Sequence, residues 1–316
     1  MDSATPPDRE GPPSSWNDRA LVRARRLEER RAAALERQAR NRERRRGPSA
    51  AAATVPANAP AIGAGDAASS DPRLFADPHQ GENYIVVLGR LHAMLQPERY
   101  LEIGIRHGTS LAQARCASIG VDPNHRLAEE VLSNKPVGMI FRETSDDFFA
   151  TRDPKALLGG PLDMAFLDGM HLFEYLLRDV INTEPHCAPT GMLVLHDCLP
   201  TDVAMTRRQP RYTEEAGPAR RPGAWAGDVW KLVPVLRRYR PDLRLTILDA
   251  PPTGLVLVTN LDPGNTVLKD NYQAILAEFL PLDLREIGIR AYLSQQQAIP
   301  TRMIRTRDDL ERRFSP

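Results

Sequence analysis

Acidic and imidazole side chains cluster in two short stretches of the sequence, and each stretch follows an apolar run. The first stretch, Phe-Leu-Asp-Gly-Met-His, contains Asp168 and His171, and the second contains His196 and Asp197. Carboxylates and imidazoles so placed are suited to removing a proton from a substrate or to holding a divalent cation. If both apolar runs are neighbouring parallel strands, the two stretches meet at one edge of a sheet, where ligands bind in such folds.

His171 and Asp168 are the candidate catalytic residues. A neutral imidazole has a pKa near about 6.5, so it can accept a proton from a hydroxyl group and speed the reaction by about 10²–10⁴-fold. The alternative for His171 is a buried imidazole that only completes the start of the following helix. Asp168, His196 and Asp197 are the candidate ligands of a divalent metal, either Mg²⁺ or Mn²⁺. Imidazole suits Mn²⁺ better than Mg²⁺, which prefers oxygen ligands.

A glycine-rich turn ends an apolar segment earlier in the chain, in the pattern Glu102-x-Gly104-x-x-x-Gly108. Glycine lets a ligand approach the backbone, and the amides at the start of a following helix bind polar groups. Dinucleotide-binding turns have the different spacing Gly-x-Gly-x-x-Gly, which serves a pyrophosphate. An acidic residue before the turn suits an ammonium group, so the pattern favours S-adenosylmethionine, which has no phosphate. The alternative is an ordinary tight turn between a strand and a helix.

The predicted cofactor-binding residues follow the first four strands. Those of the first strand and its turn are Glu102, Gly104, Ile105, Arg106, Gly108, Thr109 and Ser110. Asp122 follows the second strand and is predicted to accept hydrogen bonds from both ribose hydroxyls, with a helix cap as the alternative. Ser145 and Asp146 follow the third strand and are predicted to meet the adenine amine, with a cap or turn as the alternative. Asp168 follows the fourth strand and completes the set beside the reactive methyl group.

The elements that position these residues alternate between strands and helices. Strands are predicted at 100–104, 118–121, 138–141, 163–167 and 192–195, and helices at 80–95, 109–115, 125–132, 146–150, 172–181, 229–239 and 271–280. Short apolar strands alternating with helices predict an α/β fold whose parallel sheet is covered by helices on both faces.

Two further strands, at 243–248 and 255–259, are separated by a gap too short for a parallel crossover, so they predict an antiparallel hairpin. A mostly parallel seven-stranded sheet closed by such a hairpin is the layout of the Rossmann-like class I methyltransferase fold.

Three segments resemble class I S-adenosylmethionine-dependent methyltransferases: Gly104-x-x-x-Gly108 after Leu-Glu-Ile, residues 166–175, and residues 191–197. The resemblance covers about residues 80–261 and is closest to the branch with the macrolide-sugar and rhamnosyl O-methyltransferases and cephalosporin-hydroxylase-like proteins. It implies methylation of a hydroxyl group on a small molecule or glycan. It also implies Mg²⁺ held by the acidic residue after strand four and an acidic pair after strand five. Asp168 and Asp197 match that pattern, whereas His196 departs from it.

A long segment rich in arginine and proline, residues 200–227, is predicted to be a lid beside the site. Its arginines are predicted to meet an anionic acceptor, and Trp225 to stack on a sugar. The alternative is a solvated loop with only Trp230 in the core. The arginines are Arg207, Arg208, Arg211, Arg220 and Arg221.

Composition divides the chain into three parts. Residues 1–47 are predicted to form a leader, helical or disordered, whose segment 18–46 has 12 arginines against 5 acidic residues. Residues 48–75 are predicted to form an Ala/Pro/Gly-rich linker, and residues 76–316 are predicted to form the methyltransferase domain. The leader leaves open two alternatives, an RNA methyltransferase guided by its basic charge and a non-catalytic scaffold that keeps the cofactor fold. The overall charge of +1 gives no global attraction to nucleic acid or membranes.

No run of residues approaches the length of about 18 apolar residues needed to span a bilayer. The N-terminal residues also lack the apolar stretch of an export signal, and the 3 cysteines are too few for a disulfide framework. A cytoplasmic location is therefore expected, and a homo-oligomeric assembly stays open.

Overall fold

The computed structural model describes residues 71–314, so the predicted leader and all but the last residues of the predicted linker lie outside the described part. At the linker's end, Phe75 is 1% exposed. Its backbone forms an isolated antiparallel bridge with Asp202. The chain is therefore packed against the domain from Phe75 onward. Within residues 71–314, none of the helices is long and apolar enough to cross a membrane.

Seven strands form one sheet: β1 Arg99–Ile103, β2 Ala117–Val121, β3 Gly138–Phe141, β4 Leu162–Leu167, β5 Cys187–His196, β6 Arg244–Leu248 and β7 Leu255–Thr259. Their order across the sheet is β3-β2-β1-β4-β5-β7-β6. The first five strands pair in parallel, and β7 is antiparallel to both β5 and β6. The predicted seven-stranded sheet with its antiparallel hairpin is confirmed.

Ten α-helices accompany the sheet in the described residues: α1 Tyr84–Leu95, α2 Ser145–Thr151, α3 Pro154–Leu158, α4 Phe173–Thr183, α5 Leu232–Tyr239, α6 Val267–Asp270, α7 Tyr272–Phe279, α8 Leu284–Ile287, α9 Ile289–Gln296 and α10 Arg307–Phe314. Apolar side chains from both faces of the sheet are buried. Along β1, Leu101 and Ile103 belong to one hydrophobic cluster, and Tyr100 belongs to another. Because successive side chains of a strand point to opposite faces, the two clusters are the cores of the two sides.

Two predicted helices are wrong. In place of the helix at 109–115 the structure has a single 3₁₀ turn, Leu111–Gln113, and in place of the helix at 125–132 it has the 3₁₀ turn Glu129–Leu132. Two backbone hydrogen bonds explain the difference. The backbone amide of Gly108 donates to Ile105, and that of Arg126 donates to Arg106. The backbone between the strands is thus held by turns and by the neighbouring loop, which leaves no room for an α-helix.

Candidate active site

Four polar side chains meet at the carboxyl ends of β4 and β5. Asp168 follows the last residue of β4, His196 is the last residue of β5, and Asp197 comes next. Since β4 and β5 are parallel neighbours, these residues lie side by side. His171, in the loop between β4 and α4, joins them. We refer to Asp168, His171, His196 and Asp197 as the carboxylate–imidazole cluster.

The His171 ring lies between the two carboxylates. Its Nε2 is 3.3 Å from Oδ1 of Asp168, and its Nδ1 is 3.1 Å from Oδ2 of Asp197. The same Nδ1 is 2.9 Å from the backbone oxygen of Trp225. With 22% of its side chain exposed, His171 remains accessible from outside. The ring is therefore held at both nitrogens while it still faces the site.

His196 lies deeper in the cluster, with 6% of its side chain exposed. Its Nδ1 is 3.2 Å from Oδ1 of Asp168 and 3.5 Å from Oδ1 of Asp197. The Tyr84 ring packs on it at a centroid distance of 4.2 Å, and the Thr253 hydroxyl donates to Oδ1 of Asp197. His196 therefore contacts both carboxylates from the buried side of the cluster.

The charges of the cluster depend on one another. Burial alone would lower the pKa of His171, but the carboxylates of Asp197 and Asp168 outweigh burial and raise it to about 9. The same two carboxylates raise the pKa of His196 to about 10 against the effect of burial. In turn, the two imidazoles overcome burial and lower the pKa of both aspartates. At neutral pH the cluster is thus two imidazolium–carboxylate pairs, and His171 in this state cannot accept a further proton.

The cluster has the donor atoms for a divalent cation. One oxygen of Asp168, one oxygen of Asp197 and one ring nitrogen of His171 all lie within 4.8 Å of one another. The predicted set contained His196 in place of His171, whereas the group of atoms that meets this distance contains His171. Two carboxylate oxygens and one imidazole nitrogen fit Mn²⁺ better than Mg²⁺. The residues therefore fit a cation, with His171 as the nitrogen ligand.

The glycine turn, residues 104–108, lies directly against the loop that carries Asp168. Gly104 has φ +89°, and a Cβ built on it would lie 1.9 Å from the backbone oxygen of Asp168. Gly108 has φ +80°, and its Cβ would lie 2.6 Å from Val131. Between them, Arg106 adopts a φ of +39°. Both glycines are therefore required by protein packing, and the turn lies next to Asp168.

Asp122 holds the glycine turn in place. Its Oδ2 accepts a hydrogen bond from the Arg106 amide at 2.8 Å, and its Oδ1 accepts one from the Asn124 amide at 2.6 Å. Each carboxylate oxygen has a second lone pair, so both can still accept from a ligand hydroxyl. Arg106 and Thr109 are exposed, and Ile105 is buried. Asp122, predicted to bind a ribose or to cap a helix, thus accepts from two turns of the backbone, and its side chain is half-buried.

Glu102 faces the protein interior. It is 0% exposed, and its two oxygens accept hydrogen bonds from the hydroxyls of Tyr100 and Ser110. The predicted contact with an ammonium group would require this carboxylate to reach the site, whereas its hydrogen bonds point it into the core. Burial raises its pKa to about 7, although the bonds from Ser110 and Tyr100 oppose the shift. Glu102 and Ser110 therefore bond to each other on the buried side of the glycine turn.

Ser145 and Asp146 begin α2. The carboxylate of Asp146 pairs with the guanidinium of Arg178 through two hydrogen bonds of 2.9 and 2.7 Å. Ser145 bonds to Asp179, which is 1% exposed and whose pKa burial raises to about 7. Ser145 and Asp146 thus tie α2 to α4, and their contact with adenine stays a prediction.

Two residues of the site escaped the sequence analysis. Thr253 follows Pro251 and Pro252 in the hairpin between β6 and β7 and binds Asp197 from there. Asp228 accepts a hydrogen bond from the Phe173 amide at 2.8 Å, at the start of α4. The sequence around each residue indicates only a turn, because the residues that they bind lie 56 and 55 positions away in the chain.

The stability of the protein is expected to fall between pH 4.5 and 7 through Glu102. Its pKa is about 7 in the folded state against 4.5 ordinarily, so the folded state binds a proton more tightly and the contribution is lost as pH rises. Because glutamine does not ionise, the free energy of unfolding of Glu102→Gln relative to the wild type should rise by roughly 3 kcal/mol between pH 4.5 and pH 8. Urea unfolding at several pH values measures this difference, and a difference that stays flat with pH would contradict the assignment.

A family model described as a methyltransferase domain matches residues 101–198, which run from β1 to just beyond β5 and include the cluster. The fold is similar to the O-methyltransferase TomG from Streptomyces achromogenes, solved with SAM, at 17% identity over 56% of this chain and 78% of that chain, with a TM-score of 0.43. A putative caffeoyl-CoA O-methyltransferase from Staphylococcus aureus is 14% identical over 55% of this chain and 81% of that chain, with a TM-score of 0.39. No curated protein matches the chain.

Proposed function

We propose that the protein transfers the methyl group of S-adenosylmethionine to a hydroxyl group of a small molecule or sugar, because a methyltransferase-domain family model matches residues 101–198 and the mostly parallel seven-stranded sheet is the one expected for the class I fold. One observation carries the proposal. The glycine turn touches the backbone of Asp168 through Gly104, so a donor bound on the turn lies beside the carboxylate–imidazole cluster. The closer branch of sugar O-methyltransferases stays a prediction.

The residues divide the work of the reaction. The exposed part of the glycine turn and Asp122 bind the cofactor, and the cluster faces the acceptor hydroxyl. Methyl transfer is an in-line displacement, so most of the acceleration comes from holding donor and acceptor in line. The acceptor must also lose its proton. His171 takes this proton when its ring is neutral, and Asp168 and Asp197, as ionised carboxylates, orient the hydroxyl and stabilise the imidazolium that forms.

Asp168, His171 and Asp197 would hold a divalent cation at this position. A cation bound there lowers the pKa of a coordinated hydroxyl group. His171 contributes its nitrogen in the unprotonated form, so cation and proton compete for the same ring. Exposure of 22% for His171 and 19% for Asp168 leaves room for an acceptor to approach.

Asp122→Ala is expected to weaken the binding of S-adenosylmethionine by about 10–100-fold, because hydrogen bonds to a charged carboxylate contribute about 1.5–3 kcal/mol. Calorimetric titration measures the change. Asp153→Ala is the matched control, since Asp153 also accepts from two backbone amides, those of Lys155 and Ala156, at the start of α3. It should bind the cofactor as the wild type does. A wild type that binds no S-adenosylmethionine would refute the proposed function.

A further inference from the structure

The segment between β5 and α5 passes over the loop that carries His171. We call residues 200–228 the strap. Its residues make three separate contacts with the start of α4 and the loop before it, at His171, Phe173 and Glu174. These contacts join parts of the chain that lie more than 30 positions apart.

Trp225 contacts His171 in two ways. Its backbone oxygen lies 2.9 Å from the Nδ1 of His171. Its indole ring also stacks on the imidazole, with a centroid distance of 4.9 Å and an interplanar angle of 28°. The indole ring therefore covers one face of the imidazole, and the Trp225 backbone oxygen fixes the direction of Nδ1. With Nδ1 so directed, Nε2 faces Asp168.

Gly227 allows this approach. Its φ is +63°, and a Cβ built on it would lie 1.5 Å from the backbone oxygen of His171. The amides of Ala226 and Gly227 both donate to the backbone oxygen of Met205. Asp228 then accepts from the Phe173 amide. The strap is thus in van der Waals contact with the His171 backbone and anchored on both sides of that contact.

Arginine side chains make the strap rigid. Arg207 donates to the backbone oxygens of Ala204, Ala224, Pro210 and Pro222, and its own backbone oxygen accepts from the Trp225 indole at 2.7 Å. Arg208 pairs with Glu174 of α4 and with Asp228. Both side chains, predicted to meet an anionic acceptor, bond to groups of the protein itself, and Arg208 does so while 42% exposed. Their contacts fix the place of Trp225.

We propose that Trp225 is a positioning residue, which holds the His171 imidazole in the orientation that points Nε2 at Asp168. The inference rests on the proposed function, in which His171 acts on the acceptor or binds a cation. Outer partners that fix the orientation of a metal-ligating imidazole cost about 10–100-fold in activity or metal affinity when they are lost. Without the indole, the imidazole can rotate away from Asp168 because one of its faces becomes open.

The test combines kinetics with nuclear magnetic resonance of the His171 ring in protein labelled at histidine. Trp225→Ala should lower kcat by about 10–100-fold, leave the affinity for S-adenosylmethionine unchanged, and broaden or split the His171 ring signal. Trp225→Phe keeps an aromatic ring on the imidazole and should restore both kcat and a single sharp signal. Gln209→Ala, at an exposed strap residue, is the matched control and should match the wild type.

The ring signal separates this inference from the proposed function, because it is measured without substrate. If the wild type transfers no methyl group but Trp225→Ala still disorders the His171 ring, the positioning role stands and the proposed function fails. If Trp225→Ala keeps both kcat and a single ring signal, Trp225 does not position His171. A loss of kcat in Trp225→Phe equal to that in Trp225→Ala would also overturn the inference, since stacking would then not be the cause.

Discussion

Asp197→Asn is expected to lower the rate of methyl transfer by about 10²–10⁴-fold while the protein stays folded. Asp197 adopts a φ of +60°, and asparagine tolerates this left-handed conformation as aspartate does. The amide oxygen can still accept from the Thr253 hydroxyl. What the variant removes is the charge beside His171, at 3.1 Å. The cluster then has one carboxylate left for two imidazoles and for a cation.

Steady-state kinetics and titration with Mn²⁺ measure this prediction. The affinity for S-adenosylmethionine should stay the same, because the residues of the glycine turn and Asp122 are untouched. Asp77→Asn is a suitable control, since Asp77 is an exposed carboxylate that pairs with Arg220 away from the cluster. A variant with wild-type kcat would show that the charge of Asp197 takes no part in the reaction.

Gly104→Ala is expected to destabilise the fold by about 2–5 kcal/mol, a large part of the total of about 5–15 kcal/mol for a typical domain. Two effects add. A residue other than glycine in left-handed backbone costs roughly 1–2 kcal/mol, and overpacking costs a further 1–3 kcal/mol. The contact is severe because the obstacle is backbone, the Asp168 carbonyl at 1.9 Å. That backbone is also held, since the Asp168 amide donates to Ile103.

Gly159→Ala separates the two effects. Gly159 has a similar φ of +72° at the end of α3, but a Cβ there would meet nothing within 4 Å. Its variant should therefore lose only the backbone part, roughly 1–2 kcal/mol. Chemical unfolding of the wild type and both variants measures the difference. Equal losses in the two variants would show that the packing of Gly104 against Asp168 adds no cost.

Much of the fold could be predicted because strands carry a local signal. Runs such as Leu162–Leu167 and Leu255–Thr259 are mostly apolar, and the short gap before β7 allows only an antiparallel hairpin. The helices expected at 109–115 and 125–132 failed for the opposite reason. Whether those residues form an α-helix depends on contacts with a distant loop, such as the bond from Arg126 to Arg106.

The sequence by itself determined which polar residues stand at the carboxyl ends of β4 and β5, because strand ends can be read from the apolar runs that precede them. Only the tertiary structure decided that His171, together with Asp168 and Asp197, forms the candidate cation site, and that Glu102 faces the core. It alone also placed Trp225 on His171, 54 residues away. The physical reason is that side-chain direction, burial and pairing depend on elements that are remote in the chain, and no local pattern encodes them.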